Sequence, residues 1–600
     1  MDPKAPEAGA ADAGPSKSAL KKAEAKAKKE ALKAQRAAER AATQVAAIQL
    51  DDPSKDFYGR VTPTSPAAFS PDAREAHLRD LGAEHEGKSV IIRGWLQNSR
   101  IQSAKMAFIE LREEGNWAVQ GVVLASAPDA PEGTHPVSRP MVKYIGSTNA
   151  ESFVAVEAVV KKPYEPVKSC RVADWELHLT RFFLVAPAPA MLGLTMAAAN
   201  RAVTNFSDEE VKPAAEGEEA AKPAEAAAES GPAPAASMLT HLDNIAMHKR
   251  APVQQAIADI RMEAKHLFRS YLRERGFKEF EPPCLIGASS EGGANVFRLP
   301  YFNQEAFLAQ SPQFYKQFEI AGGRKRVFSI GPVFRAENSN TPRHMTEFTG
   351  LDLEMEIKED YTEVRDMLEG VLLHMFRSLQ ENCKEEIALV RSVYPSEDIL
   401  LPEPGKEVRL TFAEGQKLLR EEGPEEFRNV SDDEDMSTPQ EKALGALVRK
   451  KFNTDFYVLD KFPETARPFY AKLDPLHEPK EGGAKLCLAY DFCLRGQEIL
   501  SVRPLPPFRY KFETNQLILE SYQGGQRIND PDELEERIRA KGIDPKSPGI
   551  CDYVDVFRQV GVPPHGGGGI GLDRVVAWLL ALPSVHLASY YPRTPKRLLP

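Results

Sequence analysis

The chain has 600 residues, of which 42% are hydrophobic and 27% charged, and its formal net charge is -10. That length exceeds one compact core and predicts several units of roughly 150 residues each, some merged into a large domain. The acidic total would argue against a nucleic-acid partner, but the charge is unevenly spread: segment 17–40 is strongly basic and segment 207–230 acidic.

Residues 1–16 are rich in Ala, Pro and Gly and predict a disordered start. Asp2, Glu7 and Asp12, with no apolar stretch behind them, fit neither a secretory signal nor an acid-poor transit peptide. The basic segment is built of helix formers without Gly or Pro. Lys22, Lys26, Lys29, Lys33, Arg36 and Arg40 step by three and four, which lines them on one helical face. The opposite face is mostly Ala, too small to bury a core, so the helix is a solubilising tail or a phosphate-tracking arm.

Residues 88–186 contain five strand-like runs: SVIIRGWL, MAFIELRE, VQGVVLA, SFVAVEAVV and WELHLTRFFLV. Five strands in about a hundred residues predict a small closed β-barrel of the OB type. Residues 207–236 are acidic, low in complexity, and expected to be a disordered insert. From residue 251 an amphipathic helix ends at Gly276, and strand-like runs then alternate with helical ones, as in an α+β enzyme domain. The expected organisation is an extension at 1–50, a barrel at 80–190, a hinge with the acidic insert at 191–250, and a large domain at 251–600. No apolar run approaches the ~18 residues of a membrane-spanning helix. The six cysteines (Cys170, Cys284, Cys383, Cys487, Cys493 and Cys551) include no C-x-x-C pair, which points to reduced thiols rather than a zinc knuckle.

Three patches carry chemistry. In GPVFRAENSNTPRHMTEFTGLDLEMEI (331–357), a strand carries Arg335 and Glu337 outward, a polar loop follows with Arg343 and His344, and a second strand carries Phe348, Asp352 and Glu354. Arg forks around a basic loop match polyphosphate oxygens, and Phe348 offers a stacking surface for a base. A surface hairpin with ion pairs would explain FRAE alone. In PPHGGGGIGLDRVVAWLL (563–580), the Gly run permits close backbone approach and leads into a helix that carries Arg574. It is neither a P-loop nor a dinucleotide fingerprint. In AYDFCLRGQEILS (489–501), a turn at Arg495-Gly496 would bring Asp491 near Glu498 and Ser501, oxygen ligands suited to Mg²⁺ on ATP phosphates.

Together these strings, with GASSEGGANVF (287–297) and LAQSPQFYKQ (308–317), resemble the class II aminoacyl-tRNA synthetases, and within them the aspartyl enzymes of eukaryotic cytosol. The resemblance runs from the barrel to the end of the chain. It implies an anticodon-binding OB-fold, an antiparallel-sheet catalytic domain that dimerises with Pro283 at the interface, ATP and Mg²⁺ in the site, and L-aspartate and tRNA(Asp) as substrates in the cytoplasm. It places Arg335 on the α-phosphate, Phe348 on adenine, Glu337 beside it, Arg343 and His344 at the loop-bound phosphates, and Arg574 at the γ-phosphate end. Arg335 and Arg574 thus carry the catalytic weight. Glu498 serves both ATP and the metal, with Asp491 and Ser501 as the other metal positions. Gln313, Lys316, Asp352 and Arg527 match residues that hold aspartate, and Ser290 and Glu291 match a loop that closes over it. Two substrate carboxylates need buried cations, which suits Lys316 and Arg527. Phe108, Gln120 and Glu176 match anticodon contacts, where stacking and edge hydrogen bonds read single-stranded RNA. The lysine-rich arm is similar to that of fungal and animal forms, and suggests that Lys22, Lys26, Lys29 and Lys33 touch tRNA.

The chain departs from this pattern at three places. Asp573 stands where Glu is usual before the motif arginine, and Pro342 stands where His is common in the ATP loop. A Pro-rich stretch, 502–523, separates Ser501 from Arg527, although both belong on one active-site strand. Val502-Arg503 and Tyr522-Gln523 can be encoded by splice-site-like codons, so a retained intron is expected. The rivals are an asparaginyl enzyme, which would not need Lys316, a relaxed enzyme that also charges the asparagine tRNA, a synthetase-derived regulator without catalysis, and a bare OB-fold binder, which leaves the second half unexplained.

Overall fold

The computed structural model describes residues 52–126, 136–204, 206, 235–287, 296–338, 342–479, 483–498 and 524–599, the last two before the gap at 499 in backbone only. The expectations for the basic arm, the acidic insert, Ser290, Glu291, Ser501 and 502–523 therefore lie outside the described residues, as does the Glu498 side chain. Two compact units divide after Leu192.

The first unit is a closed ring of five strands: β1 (Ser89–Ser103), β2 (Met106–Arg112), β3 (Ala118–Leu124), β4 (Phe153–Lys161) and β5 (Val172–Ala186). β1 pairs with β2 and β4, β2 with β3, β3 with β5, and β5 with β4, which closes the barrel. All five strands coincide with the alternating runs, because alternate residues must face the interior. Ile92, Leu96, Ile109, Leu111, Val119, Val156, Leu177 and Leu179 fill it. Helix α1 (Arg139–Gly146), not expected from sequence, lies between β3 and β4 in the chain. Ser138 caps it by accepting from the Met141 amide at 3.1 Å, and it buries Met141, Val142 and Ile145.

The second unit is organised by a mostly antiparallel nine-stranded sheet. Its strands are β6 (Lys278–Glu279), β7 (Arg326–Phe334), β8 (Glu347–Glu356), β9 (Arg409–Thr411), β10 (Phe456–Asp460), β11 (Ala489–Leu494), β12 (Gln497–Glu498), β13 (Gly524–Gln526) and β14 (His565–Gly571). The order is β9-β10-β11-β13-β14-β8-β7-β6, with β12 also on β11. Around it lie α2 (Pro252–Glu274), α3 (Gln313–Ala321), α4 (Thr362–Asn382), α5 (Thr438–Phe452) and α6 (Leu572–Leu579). α2 starts on Pro252, whose missing N–H costs nothing in a first turn, and its chain reverses at Gly276 with φ +80°. Among the described residues no helix is long and apolar enough to cross a membrane, and the six cysteines are free thiols.

The glycine run is not a loop but the strand β14, in the middle of the sheet. Glycine disfavours strands, yet a Cβ on Gly567 would meet Glu354 Oε2 and the Leu353 carbonyl at 2.1 Å. The close approach is to a neighbouring strand rather than to a ligand, and it makes room for a buried carboxylate.

Candidate active site

β7, β8 and β14 lie side by side, so their side chains converge on one face with α3. Strand alternation puts Asp352 and Glu354 on the same side of β8. Lys316, on α3, extends its ammonium to Asp352 Oδ1 at 3.1 Å and Glu354 Oε2 at 3.4 Å. Arg527 follows β13 and turns its Nε to Glu354 Oε1 at 3.0 Å and its Nη2 to Oε2 at 3.4 Å. All four are at most 2% exposed, which makes this a buried network of two cations and two anions. Burial pushes the Glu354 carboxyl up, but Arg527 and Lys316 outweigh it and hold it below the ordinary carboxylate range. Burial wins at Asp352, whose pKa is raised even with Lys316 beside it.

A second layer fixes the first. Gln313 Nε2 donates to Gln317 Oε1 at 2.9 Å, which also accepts from the Tyr553 hydroxyl at 2.9 Å. Gln317 Nε2 meets His565 Nε2 at 2.8 Å, and His565 Nδ1 meets the Pro563 carbonyl at 2.8 Å. The carbonyl can only accept and the amide nitrogen only donate, so His565 is neutral with its proton on Nδ1. Burial lowers its pKa, in agreement. Glu354 is named on its strand by the sequence reading but given no role there, and His565 is not singled out. The i, i+2 spacing of Asp352 and Glu354 could have flagged the former.

The cation-rich patch lies at the other end of β7 and β8. Arg335 is one residue past β7 and is buried rather than turned outward, with its guanidinium 5.8 Å from the centre of the Phe348 ring. Its Nη1 is 3.8 Å from Glu337, and His344 Nε2 is 4.0 Å from the same carboxylate. Burial, then Arg574, Arg343, Arg335 and His586, lower the His344 pKa to about 4, so it is neutral near pH 7. Burial raises the Glu337 pKa, while Arg335 and Arg574 pull it back. Three guanidiniums near His344, two of them also acting on Glu337, leave an excess of positive charge suited to polyphosphate.

Arg574 enters from the first turn of α6, and its neighbour Asp573 anchors that turn. Asp573 Oδ1 accepts from Arg261 Nη1 at 2.6 Å and Oδ2 from the Thr349 amide at 3.0 Å; Arg261 Nη2 also donates to Thr349 Oγ1 at 2.8 Å. The shorter carboxylate at 573 is thus met by an arginine from α2. Pro342 is equally well used: its carbonyl accepts from the Val585 amide at 2.9 Å and from Ser584 Oγ at 3.1 Å.

Asp491 does not join a metal set among the described side chains. Its Oδ2 accepts from the buried Arg467 Nη2 at 2.7 Å, and no group of three His, Cys, Asp or Glu among the described residues could hold an ion. The expected hairpin is present: Cys493 faces Glu498, and the turn passes through Arg495 and Gly496 with φ +52° and +66°. β12 and β13 both pair with β11 on the side away from β10. Cys493 faces Glu498 and Tyr490 faces Gly524, so three steps along β11 correspond to 26 along the chain. β12 and β13 thus flank, along one edge of β11, a stretch of 25 residues (499–523) that lies outside the described residues.

Pro283 is exposed and lines a cleft of about 230 Å³ with Pro282, Cys284, Pro312 and Pro332. On the barrel, Phe108, Gln120 and Glu176 all lie on the outer face. Gln120 Nε2 donates to Glu176 Oε2 at 3.2 Å, His178 Nε2 lies 2.7 Å from Glu176 Oε1, and Arg100 sits 5.7 Å over Phe108. A cleft of about 230 Å³ runs between Asn98, Arg100, Phe108, Glu110, Gln120 and Cys170. Sequence reasoning missed Arg100 and Glu110, which lie on neighbouring strands.

Comparison with known proteins agrees with this geometry. The family described as class II tRNA synthetases (D, K and N) matches residues 237–503 and 506–595. The chain belongs to that family. It is 39% identical over 550 residues to human cytoplasmic aspartate–tRNA ligase, covering 92% of this chain and 96% of the human one. The crystal structure of a putative aspartyl-tRNA synthetase from Leishmania major Friedlin superposes with a TM-score of 0.73 at 31% identity, covering 91% of this chain and 99% of that one. Asparaginyl-tRNA synthetase from Pyrococcus horikoshii, complexed with asparaginyl-adenylate, gives 0.65 at 26% identity, covering 88% and 99%.

Proposed function

We propose that this chain is a cytoplasmic aspartate–tRNA ligase, which activates L-aspartate with ATP and transfers it to the 3′ end of tRNA(Asp). The observation that carries the choice of amino acid is the buried Lys316–Asp352–Glu354–Arg527 network beside the arginine-rich patch. A substrate with two carboxylates brings one more negative charge than its amide analogue, and buried cations stabilise it. An asparagine site has no such need, so the network favours aspartate over the architecture shared with asparaginyl enzymes.

In this reading Lys316 and Arg527 receive the side-chain carboxylate, while Asp352 and Gln313 face the ammonium, under the loop of Ser290 and Glu291. Phe348 stacks on adenine beside Glu337, Arg335 neutralises the α-phosphate, and Arg343, His344 and Arg574 hold the β- and γ-phosphates. An aspartate α-carboxylate oxygen then attacks the α-phosphorus in line. The bond to the β-phosphate oxygen breaks and pyrophosphate leaves. In the second step the terminal ribose 3′-hydroxyl attacks the adenylate carbonyl and AMP leaves. The side chains position groups and stabilise charge rather than form bonds.

Mg²⁺ belongs with ATP, where it would neutralise polyphosphate charge. Asp491, which pairs with Arg467 through Oδ2, is proposed together with Glu498 and Ser501 as the oxygen donors for it. Dimerisation through the face around Pro283, and tRNA reading by Phe108, Gln120 and Glu176, with the lysines of the arm, complete the proposal. The test is amino-acid-dependent exchange of pyrophosphate into ATP. Aspartate should support it and asparagine should not. Exchange with asparagine alone would transfer the assignment to the amide.

A further inference from the structure

Arg343 is held from an unexpected direction. Its Nη2 donates to Thr438 Oγ1 at 2.6 Å, across 95 residues of sequence. Thr438 opens α5, a helix that packs beside the sheet and lies outside the motifs of the site. The backbone on either side of Arg343 is fixed separately: Pro342 by Ser584 and Val585, and the His344 carbonyl by His586 Nε2–H at 3.0 Å. The main chain of this loop end is thus set by the C-terminal segment, and Thr438 adds a hold on the side chain.

α5 is itself seated firmly. Leu444 and Val448 pack with Phe412, Leu419, Tyr457 and Leu459, the last two from β10. One and a half to two turns past Thr438, Gly445 lies so close to the β11–β12 turn that a Cβ there would meet Gly496 Cα at 2.2 Å. One helix therefore touches both the turn leading to Glu498 and the arginine of the ATP loop.

We infer that Thr438 is a positioning residue for ATP, and that α5 acts as a strut transmitting the placement of the β11–β12 turn to the Arg343 guanidinium. The inference rests on the proposed function for the identity of the ligand. A flexible arginine held by an oriented hydroxyl loses less freedom when phosphate arrives, so the gain is in ATP binding. Thr438 touches neither substrate and acts through Arg343.

The experiment uses the full chain with Thr438→Val, Thr438→Ser, Arg343→Met and the Thr438→Val/Arg343→Met double variant. A hydrogen bond to a charged group implies about a tenfold rise in the KM for ATP in Thr438→Val, with the KM for aspartate and kcat unchanged. Thr438→Ser should restore wild-type values, and the double variant should be no worse than Arg343→Met alone. Gly445→Ala, which must push α5 from the turn, should raise the same KM. Equal effects on both substrates, no rescue by serine, or an additive double variant would overturn the inference. Equilibrium dialysis of ATP against the same variants reads nucleotide binding without any amino acid. If wild type shows no exchange, the proposed function fails, and dialysis still decides the role of Thr438.

Discussion

Replacing Lys316 with methionine keeps an unbranched side chain one atom shorter and removes its charge from a site that is fully buried. The ammonium faces Asp352 at 3.1 Å and Glu354 at 3.4 Å. At an effective dielectric of about 20, each contact corresponds to about 5 kcal/mol of Coulomb attraction, most of it offset by desolvation. Without Lys316 the network holds two carboxylates and one guanidinium. Burial already raises the Asp352 pKa, so Asp352 takes up a proton and the fold survives with about 3–5 kcal/mol less stability. The aspartate substrate has no such relief, because protonating it costs binding as well. Losing a buried charge-assisted contact of about 3 kcal/mol lowers kcat/KM for aspartate by roughly 150-fold. Exchange kinetics with saturating ATP, alongside circular dichroism, measure this directly. The KM for ATP should stay within about threefold of wild type. A folded Lys316→Met variant that keeps aspartate kcat/KM within about fivefold of wild type would refute the role of the cation in substrate choice.

Three further outcomes follow from the same geometry. Arg261→Met removes the clamp on Asp573 and Thr349 and should cost about 3–5 kcal/mol, read as a fall of roughly 5–15 °C in thermal unfolding; a change under about 2 °C would contradict the clamp. His241 and His248 face each other at 3.0 Å, and burial lowers their pKa values to about 4 and about 3. Both are neutral when folded but bind protons near pH 6.5 when unfolded, so their contribution is complete above that pH and is lost as pH falls towards 4. Stability titrations should show this acid limb in wild type and a shallower one in His241→Leu/His248→Leu. Joining Ser501 to Gly524 by deleting 502–523 should preserve folding and raise or maintain exchange, since β12 and β13 already lie along one line; an insoluble or inactive product would show that the segment is part of the strand's support.

Much of the architecture is legible because burial on one face leaves a period in the chain. The five barrel strands and α2 follow from that period. α1 does not, because the Arg139-Pro140 start suggests a turn until Ser138 is seen capping it. The glycine run misleads for a physical reason: its small residues make space for Glu354, a fact about the neighbouring strand and not about local preference. Within the site, Lys316, Asp352 and Arg527 are legible from family resemblance, and they do converge. The supports are not. Arg261 meets Asp573 across 312 residues and Arg343 meets Thr438 across 95, and no local pattern encodes such pairs. Arg467 is a further case, since it pairs with Asp491 Oδ2 across 24 residues and nothing in the local spacing announces it.

The central claim is that the chain esterifies tRNA(Asp) with aspartate, and charging of purified tRNA with radiolabelled amino acid tests it most directly. The full chain with ATP should place labelled aspartate on tRNA(Asp) through a base-labile ester, and should place no asparagine on any tRNA. Charging with asparagine, or binding of tRNA without ester formation from either amino acid, would contradict it.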